Sequence, residues 1–435
     1  MDITIEELSR RVEEIYEFRD NFFNVQSVED AHLKKKLVNE KMIIVADIFE
    51  NNISNFNDNP RFHLLRGKLL NVSDSYESVA ENSLTKSLKL DPCQSEAWIQ
   101  LGECLWRKNN YEAASNCFKK ALSCSSDDVS KIISLRNLSI IGRHINLNND
   151  RSKVLNECTK LAKDALQLDM SDGMSWYVLG NSYLSTFFHQ GQKPTILSQC
   201  LSAYTKALAD SKMTYDSDLY YNRAYVFKYQ EEYDEALNDL AKALLYEPDN
   251  ENAIAEMKNL KDYLNGIISS IETRGKIKDK VFTTKVLGTF NKKSLGGYGD
   301  GQYVNFNDVS VMLSAVSLGS LSPGVNSNKM IHLKCLCDIS PSNRLPYTLL
   351  VSDSEGQLCA LEIYNIVPDF HIQRFDSVVI PEPIFKKNVV NKLTDHPVSF
   401  LSIREYSPKD VLVNGRPLGN DKVSLIQLKC ALKAD

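Results

Sequence analysis

The feature that most restricts how this chain can fold is a spacing. In "AWIQLGECLWRKNNYEAASNCFKKAL", Trp98, Leu101, Gly102 and Leu105 fall at i, i+3, i+4 and i+7, one face of a helix. After the polar "RKNN", Ala114, Phe118 and Ala121 fall at i, i+4 and i+7 on a second helix. Gly102 and Ala114 let two antiparallel helices approach, while Trp98 and Phe118 fill the space around them. The same offsets return in "YYNRAYVFKYQEEYDEALNDLAKALLYEP", with Tyr220, Arg223, Ala224 and Phe227, then Ala236, Leu240 and Ala243. "WYVLGNSYL" and "CLSAYTKAL" make another copy, interrupted by "FFHQGQKP". "LSIIGRHI" with "CTKLAKDAL" makes a fourth, and "LLRGKLLN" with "AENSLTKSLKLDP" a looser fifth. One such hairpin cannot bury its apolar face alone, so the copies must stack.

The unit resembles the tetratricopeptide repeat, a helix–turn–helix of about 34 residues. It implies an all-α solenoid with a concave groove over residues 60–250, about five repeats, two of them with insertions. Helices in residues 1–59 are expected to cap one end, and a long helix over 251–275 the other. In this repeat the first helix of each unit lines the groove. Counting along the units gives Lys68, then Glu96, Ile99, Glu103, Trp106 and Arg107, then Arg136, Ser139, Arg143 and Asn146. It continues with Met174, Tyr177, Asn181 and Leu184, then Asp218, Tyr221, Tyr225, Lys228 and Tyr229, and Asn252 beside Glu251. Both charge signs are mixed there with aromatic and aliphatic contacts, a surface suited to an extended peptide carrying both charges. A clamp for two terminal carboxylates fits Lys68 and Asn181 loosely, but Glu103 would repel the anion.

The helical period stops after Arg274. "RGKIKDK" reads as a basic linker over 276–281, with Lys276, Lys278 and Lys280. Residues 282–435 then show short runs rich in Val, Ile, Leu and Tyr: "MIHLKCLCDI", "YTLLVSD", "GQLCALEIYNI", "DSVVIPEP", "PVSFLSIRE" and "DVLVNGRPLG". "LLVSDSEGQLCALEIY" reads as a hairpin turning at "DSEG". Five or six strands suggest a small β-barrel, and their order resembles an OB-fold. The whole is expected to be an α + β multidomain chain. Such barrels often bind single-stranded nucleic acid through stacked aromatics and a basic groove. Tyr347, Tyr364, Phe370 and Phe375 are available here, with Lys334, Arg344, Arg374, Lys386 and Lys387; a barrel that binds protein is the alternative. "GGYGDG" lacks the flanking strand and helix of a phosphate cradle and reads as a flexible loop.

Charge agrees with two parts. Residues 276–435 hold 19 Lys and Arg against 15 Asp and Glu, a net of +4, so the first 275 residues carry −9 of the overall −5. The charged N-terminus "MDITIEELSRRVEE" is not a secretory signal, and no apolar run is long enough for a membrane helix. The ten cysteines are scattered, with no second pair at zinc spacing after Cys335 and Cys337, and read as reduced and packed in an intracellular protein. No His pairs with a nucleophile or carboxylate in a catalytic pattern, so no enzyme activity, cofactor or metal is expected. "NIS", "NVS" and "NLS" are not read as glycosylation sites.

More specific strings go further. "FRDNFF" with "SVEDA", "SWYVLGNSYLS", "ALEIYNIVPDF", "FDSVVIPEP" and "VLVNGRPLG" resemble the tetratricopeptide repeat protein 5 (Strap) family, from Phe18 to Gly419. The resemblance implies a non-enzymatic adaptor at the ribosomal exit tunnel. There it would recognise the N-terminal Met-Arg-Glu of nascent tubulin and recruit factors that degrade tubulin mRNA. It also implies a nuclear, stress-responsive role, bridging a histone acetyltransferase coactivator, with the barrel touching DNA or chromatin. The chain would then be both cytoplasmic and nuclear. By the resemblance Arg143 pairs with the peptide Glu and Asp218 with the peptide Arg. A further groove acid falls at Asn252, with Glu251 beside it, and Lys276, Lys278 and Lys280 would touch ribosomal RNA. Arg136, Tyr177, Asn181, Tyr221 and Tyr225 complete the expected peptide groove.

Overall fold

The computed structural model describes residues 3–145, 151–190, 192–300, 302–304 and 309–424. The chain divides into two compact units. The first holds the described residues up to Tyr229 together with Asp239–Ala253. The second holds Gln230–Asn238 and the described residues from Ile254 onward. The fold is mixed α + β: helical repeats, then a C-terminal β-sheet domain.

Three helices, α1 (Ile5–Asp20), α2 (Phe22–Val25) and α3 (Lys34–Asn52), precede the repeats. The repeat helices pair as α4 (Pro60–Leu70) with α5 (Ser78–Leu90), α6 (Ser95–Arg107) with α7 (Tyr111–Cys124), and α8 (Asp128–Gly142) with α9 (Arg151–Leu168). Then come α10 (Gly173–His189) with α11 (Pro194–Ala207), α12 (Ser217–Tyr229), α13 (Tyr233–Tyr246) and α14 (Glu251–Glu272). Several begin where a short polar side chain can accept a first-turn N–H. Asn59 accepts from Phe62 at 3.1 Å, ahead of Pro60, and Asp127 accepts from Ser130 at 2.7 Å. The glycines work as the spacing requires. A Cβ on Gly102 would lie 2.6 Å from the Phe118 ring, and one on Gly180 2.5 Å from the Tyr204 ring. Phe118 and Tyr204 are fully buried in those gaps. Neighbouring repeats are tied by polar contacts, such as Asn71 Nδ2 donating to Gln100 Oε1 at 3.0 Å and Asn222 Nδ2 to the Tyr177 hydroxyl at 2.9 Å.

The N-terminal helices are more than a cap, which corrects the expectation for residues 1–59. Leu8, Val12, Ile15, Val38, Val45 and Phe49 do pack on Phe62, Leu65 and Leu69 of α4. Beyond that, the stretch between α1 and α3 reaches the last repeats, where Phe23 meets Tyr215 and Tyr246. The physical reason is that this stretch carries its own aromatic and cationic side chains, which find partners across the concave side.

The second unit is built on one long sheet. Its strands are β3 (Ser314–Val316), β4 (Gly324–Val325), β5 (Lys329–Asp338), β6 (Tyr347–Ser352), β7 (Leu358–Ile363), β8 (Ser377–Pro381), β9 (Ile384–Val390), β10 (Val398–Glu405), β11 (Leu412–Val413) and β12 (Arg416–Pro417). β1 (Gln302–Val304) and β2 (Ser310–Met312) form a separate pair. The order is β12-β11-β8-β5-β6-β7-β10-β9-β4, with β3 beside β5; β10 runs parallel to β7 and β3 parallel to β5. Alternate residues, among them Ile331, Leu333, Leu349, Val351, Leu361, Ile363, Val378, Ile380 and Ile403, form one core. The turn at "DSEG" is held by Asp353, whose carboxylate accepts from the N–H groups of Glu355, Gln357 and Leu318.

The supposed linker is packed structure. Gly275 takes φ +61°, Ile277 is buried with Phe282, Val286, Leu336 and Leu350, and Arg374 donates to the Gly275 carbonyl at 3.3 Å. The apolar Ile277 between the lysines anchors it, while Lys276, Lys278 and Lys280 stay exposed. The part of "GGYGDG" up to Asp300 is not a free loop either; Gly301 lies outside the described residues. It ends a 3₁₀ stretch, Lys292–Asp300, where Gly296 has φ +49° and a Cβ would strike the Gly415 carbonyl.

The other sheet face carries a buried polar row. Register places Thr348, Glu362 and Arg404 side by side on β6, β7 and β10. Tyr233 and Tyr263 donate to Glu362 Oε1 at 2.9 and 2.6 Å, and Arg404 Nη1 pairs with Glu231 Oε1 at 3.1 Å. Burial, then repulsion from Glu231, hold the Glu362 carboxyl well above the usual range. Glu362 and Glu231 both lie near the Arg404 guanidinium. Arg404 also lies 4.3 Å over the Tyr364 ring and 4.4 Å over Tyr406.

Candidate functional site

The first unit holds a half-open cavity of about 510 Å³. That is within the ~300–1,000 Å³ range of ligand pockets. Four walls surround it. One is the N-terminal segment, from Arg19 to Asn39. The others are the loop Val72–Ser75 after α4, Met174 and Tyr177 on α10, and Tyr215–Asp218 with Tyr246, Glu247 and Asp249. Six lining residues are acidic (Asp20, Asp74, Asp216, Asp218, Glu247, Asp249), against the cations Arg19, Lys34 and Lys35. An acid excess between aromatic walls favours a cationic guest.

The fourth wall and the N-terminal segment meet directly. The Phe23 ring centroid is 5.1 Å from Tyr215 and 5.9 Å from Tyr246, and Lys34 Nζ sits 5.4 Å over Phe23. Lys35 Nζ reaches Asp249 at 2.8 Å and Glu247 at 3.0 Å. Burial opposes the charge on Lys35, but hydrogen bonds to Asp249 and Glu247 outweigh it and raise its pKa. At the other end of the segment, the Tyr16 hydroxyl donates to the Lys68 carbonyl at 2.8 Å. Tyr16 and Arg19 also feel the charge of Glu103, which is 5% exposed. The early part of the counted groove therefore lies against α1.

Of the expected groove residues, Met174, Tyr177 and Asp218 line the cavity. Arg143, at the C-cap of α8, is buried and donates to Ser182 Oγ at 2.7 Å and the Val178 carbonyl at 3.2 Å. Asn181 is also buried, accepting from the Tyr204 hydroxyl at 2.7 Å and from Asn222 at 3.2 Å. Arg136 pairs with Asp172 at 3.1 Å. Tyr221 and Tyr225 pack edge-on at 5.2 Å along α12, and Glu251 and Asn252 are exposed on the first turn of α14. None of these seven lines the cavity. Asn146 lies outside the described residues. Periodicity missed Phe23, Lys35, Tyr215, Tyr246, Glu247 and Asp249, because all of them sit in connections or at helix ends.

In the second unit, two of the four aromatics considered for stacking bases, Tyr347 and Tyr364, are buried. Tyr347 is in the core, its hydroxyl accepting from the Ile372 N–H at 2.8 Å, and Tyr364 is 3% exposed. Lys386 donates to the carbonyls of Gln230 and Glu231 at 3.2 and 2.9 Å, and Arg374 to that of Leu336 at 2.8 Å. Among the described residues no group of His, Cys, Asp or Glu could hold a metal, and no helix is long and apolar enough to cross a membrane.

Stacked helical hairpins around an acidic groove, with an OB-type sheet domain in the same chain, define a protein-binding adaptor of the tetratricopeptide class. Tetratricopeptide repeat models match residues 95–128 and 217–250, and the model of the tetratricopeptide repeat protein 5 OB fold domain matches residues 312–427. Tetratricopeptide repeat protein 5 of Bos taurus is 36% identical over 420 residues, covering 96% of this chain and 94% of the relative. The Homo sapiens protein gives the same values, and that of Mus musculus is 36% identical over 417 residues, 95% and 93% of the two chains. The chain belongs to the tetratricopeptide repeat protein 5 family.

Proposed function

We propose that this chain is an adaptor whose repeat unit binds the N-terminal Met-Arg-Glu segment of nascent tubulin at the ribosome and thereby promotes decay of tubulin mRNA. The observation that carries the reading is the cavity in which Asp218 and Tyr177 stand among an excess of carboxylates. The peptide Arg is the natural guest for Asp218, through a charge-assisted pair. Arg143 lies on the neighbouring α8 and takes the peptide Glu by exchanging its bond to Ser182. The exposed Lys276, Lys278 and Lys280 supply a salt-sensitive contact to ribosomal RNA. Work at the ribosome places the protein in the cytoplasm. A nuclear cofactor role with a DNA-binding barrel gains no stacking platform from Tyr347 or Tyr364.

The test is a titration of the full chain with a peptide beginning Met-Arg-Glu-Ile and with one whose second and third residues are exchanged. The expected result is selective binding of the first, lost in Asp218→Arg and weakened at least tenfold in Arg143→Glu. Equal binding of both peptides, or unchanged affinity in Asp218→Arg, refutes the assignment.

A further inference from the structure

The cavity already holds a cation of its own. Asp216 and Asp218 stand on its fourth wall with Glu247 and Asp249, and that wall receives the peptide Arg in the reading above. Lys35, from the N-terminal segment, reaches the same wall: its Nζ lies 2.8 Å from Asp249 and 3.0 Å from Glu247. The Glu247 side chain is 13% exposed, so its carboxylate has little water to face and draws a cation. With His32 neutral, six acids and three cations line the cavity, a balance of −3; without the Lys35 charge it is −4. The hold on Lys35 is nonetheless weak. Its side chain is 53% exposed, that of Asp249 is 64% exposed, and exposed ion pairs add little to stability. A lysine that lies inside the site yet is loosely held there is one that a guest can displace.

We propose that Lys35 is an autoinhibitory residue: its ammonium competes with the guanidinium of the guest for the acidic wall of the cavity, and so sets how tightly a cationic peptide binds. The proposal rests on the peptide-binding reading above and adds an intramolecular competitor to it. Two states alternate. In one, Lys35 stays on Glu247 and Asp249 and partly neutralises the wall. In the other, the guest Arg takes the wall and Lys35 turns out to solvent on its long, half-exposed stem. The affinity measured for the guest is lowered by the share of molecules in the first state. Because the competition is between charges, it follows charge and ionic strength, not the size of the guest.

The experiment uses the full chain and two fluorescent peptides followed by anisotropy. One begins Met-Arg-Glu-Ile; the other carries citrulline in place of the Arg, nearly the same shape without the charge. Lys35→Met and Lys35→Gln remove the ammonium, and Lys35→Arg keeps a cation. Both neutral variants should bind the Arg peptide about threefold or more tighter than wild type, and Lys35→Arg should stay within about twofold of wild type. The gain should be smaller for the citrulline peptide, and should shrink as salt rises from about 50 to about 300 mM. Tryptophan emission melts verify that the repeats are folded, and two neutral variants guard against one that is not. Unchanged or weaker binding in both folded neutral variants overturns the competition. So does an equal gain for the two peptides, or a gain in Lys35→Arg as large as in the neutral variants. These results leave the peptide site itself standing. Failure of the Arg peptide to bind wild type and both neutral variants alike removes the functional reading and the competition together.

Discussion

Replacing Arg404 with Met tests the buried polar row. The Arg404–Glu231 pair is 3.1 Å long, with side chains only 6% and 1% exposed, and Glu362 is fully buried nearby. Removing the guanidinium leaves two carboxyls facing each other without a cation. Breaking a buried pair in this way costs about 3–5 kcal/mol. Glu362 is the acid whose folded pKa is raised, so its contribution to stability falls as pH rises above the unfolded carboxyl value, and removing the nearby Arg404 cation raises that pKa further. The three tryptophans, Trp98, Trp106 and Trp176, all lie in the first unit and are blind to this change. Native-state hydrogen exchange of the β6, β7 and β10 amides reads it directly, after correction for intrinsic rates. A gap below about 1 kcal/mol at about pH 7.5 would refute the buried-pair arrangement.

Other outcomes follow from single contacts. Gly102→Ala drives a Cβ into the Phe118 ring and should cost about 1–3 kcal/mol, seen as a lowered midpoint in tryptophan-monitored unfolding. Phe118→Ala empties the same gap and should cost about 3–5 kcal/mol in that assay. His332 is lowered to about 4 by burial, with Lys334 adding to the effect. The unfolded imidazole therefore takes a proton that the folded one refuses, and stability drops as pH falls from about 6.5 toward 4. His332→Phe should flatten that acid limb, as measured by exchange at β5 amides. Reversing Lys276, Lys278 and Lys280 to Glu should abolish salt-sensitive co-sedimentation with ribosomes and leave peptide affinity within twofold.

Local pattern reached far into this fold. The offsets around Trp98 and Tyr220 identify helical hairpins because a 3.6-residue period is a property of the chain itself, and the glycines at 102 and 180 mark where a ring must fit. The Val- and Ile-rich runs identify most strands of the sheet for the same reason. β9, "IFKKNVV", escaped because two lysines and an asparagine break its alternation. Lys386 is drawn in by backbone carbonyls at Gln230 and Glu231, partners that no window of sequence contains. The basic linker was misread because its lysines dominate the composition, while the single Ile277 decides its packing.

The groove shows the same division. Helix phase alone was enough to turn Tyr177 and Asp218 toward the concave side, since neighbouring repeats share one geometry. Phase could not tell that Arg143 and Asn181 would be taken up by Ser182, Tyr204 and Asn222, because those partners lie one helix or one repeat away. Nor could it show that Phe23 and Lys35 would cross to Tyr215, Tyr246, Glu247 and Asp249, about two hundred residues further along the chain. The sequence by itself determined the repeat class and the sheet domain. Only the tertiary structure decided that the groove is bridged and which carboxylates line it, because those facts depend on which distant side chains share one space.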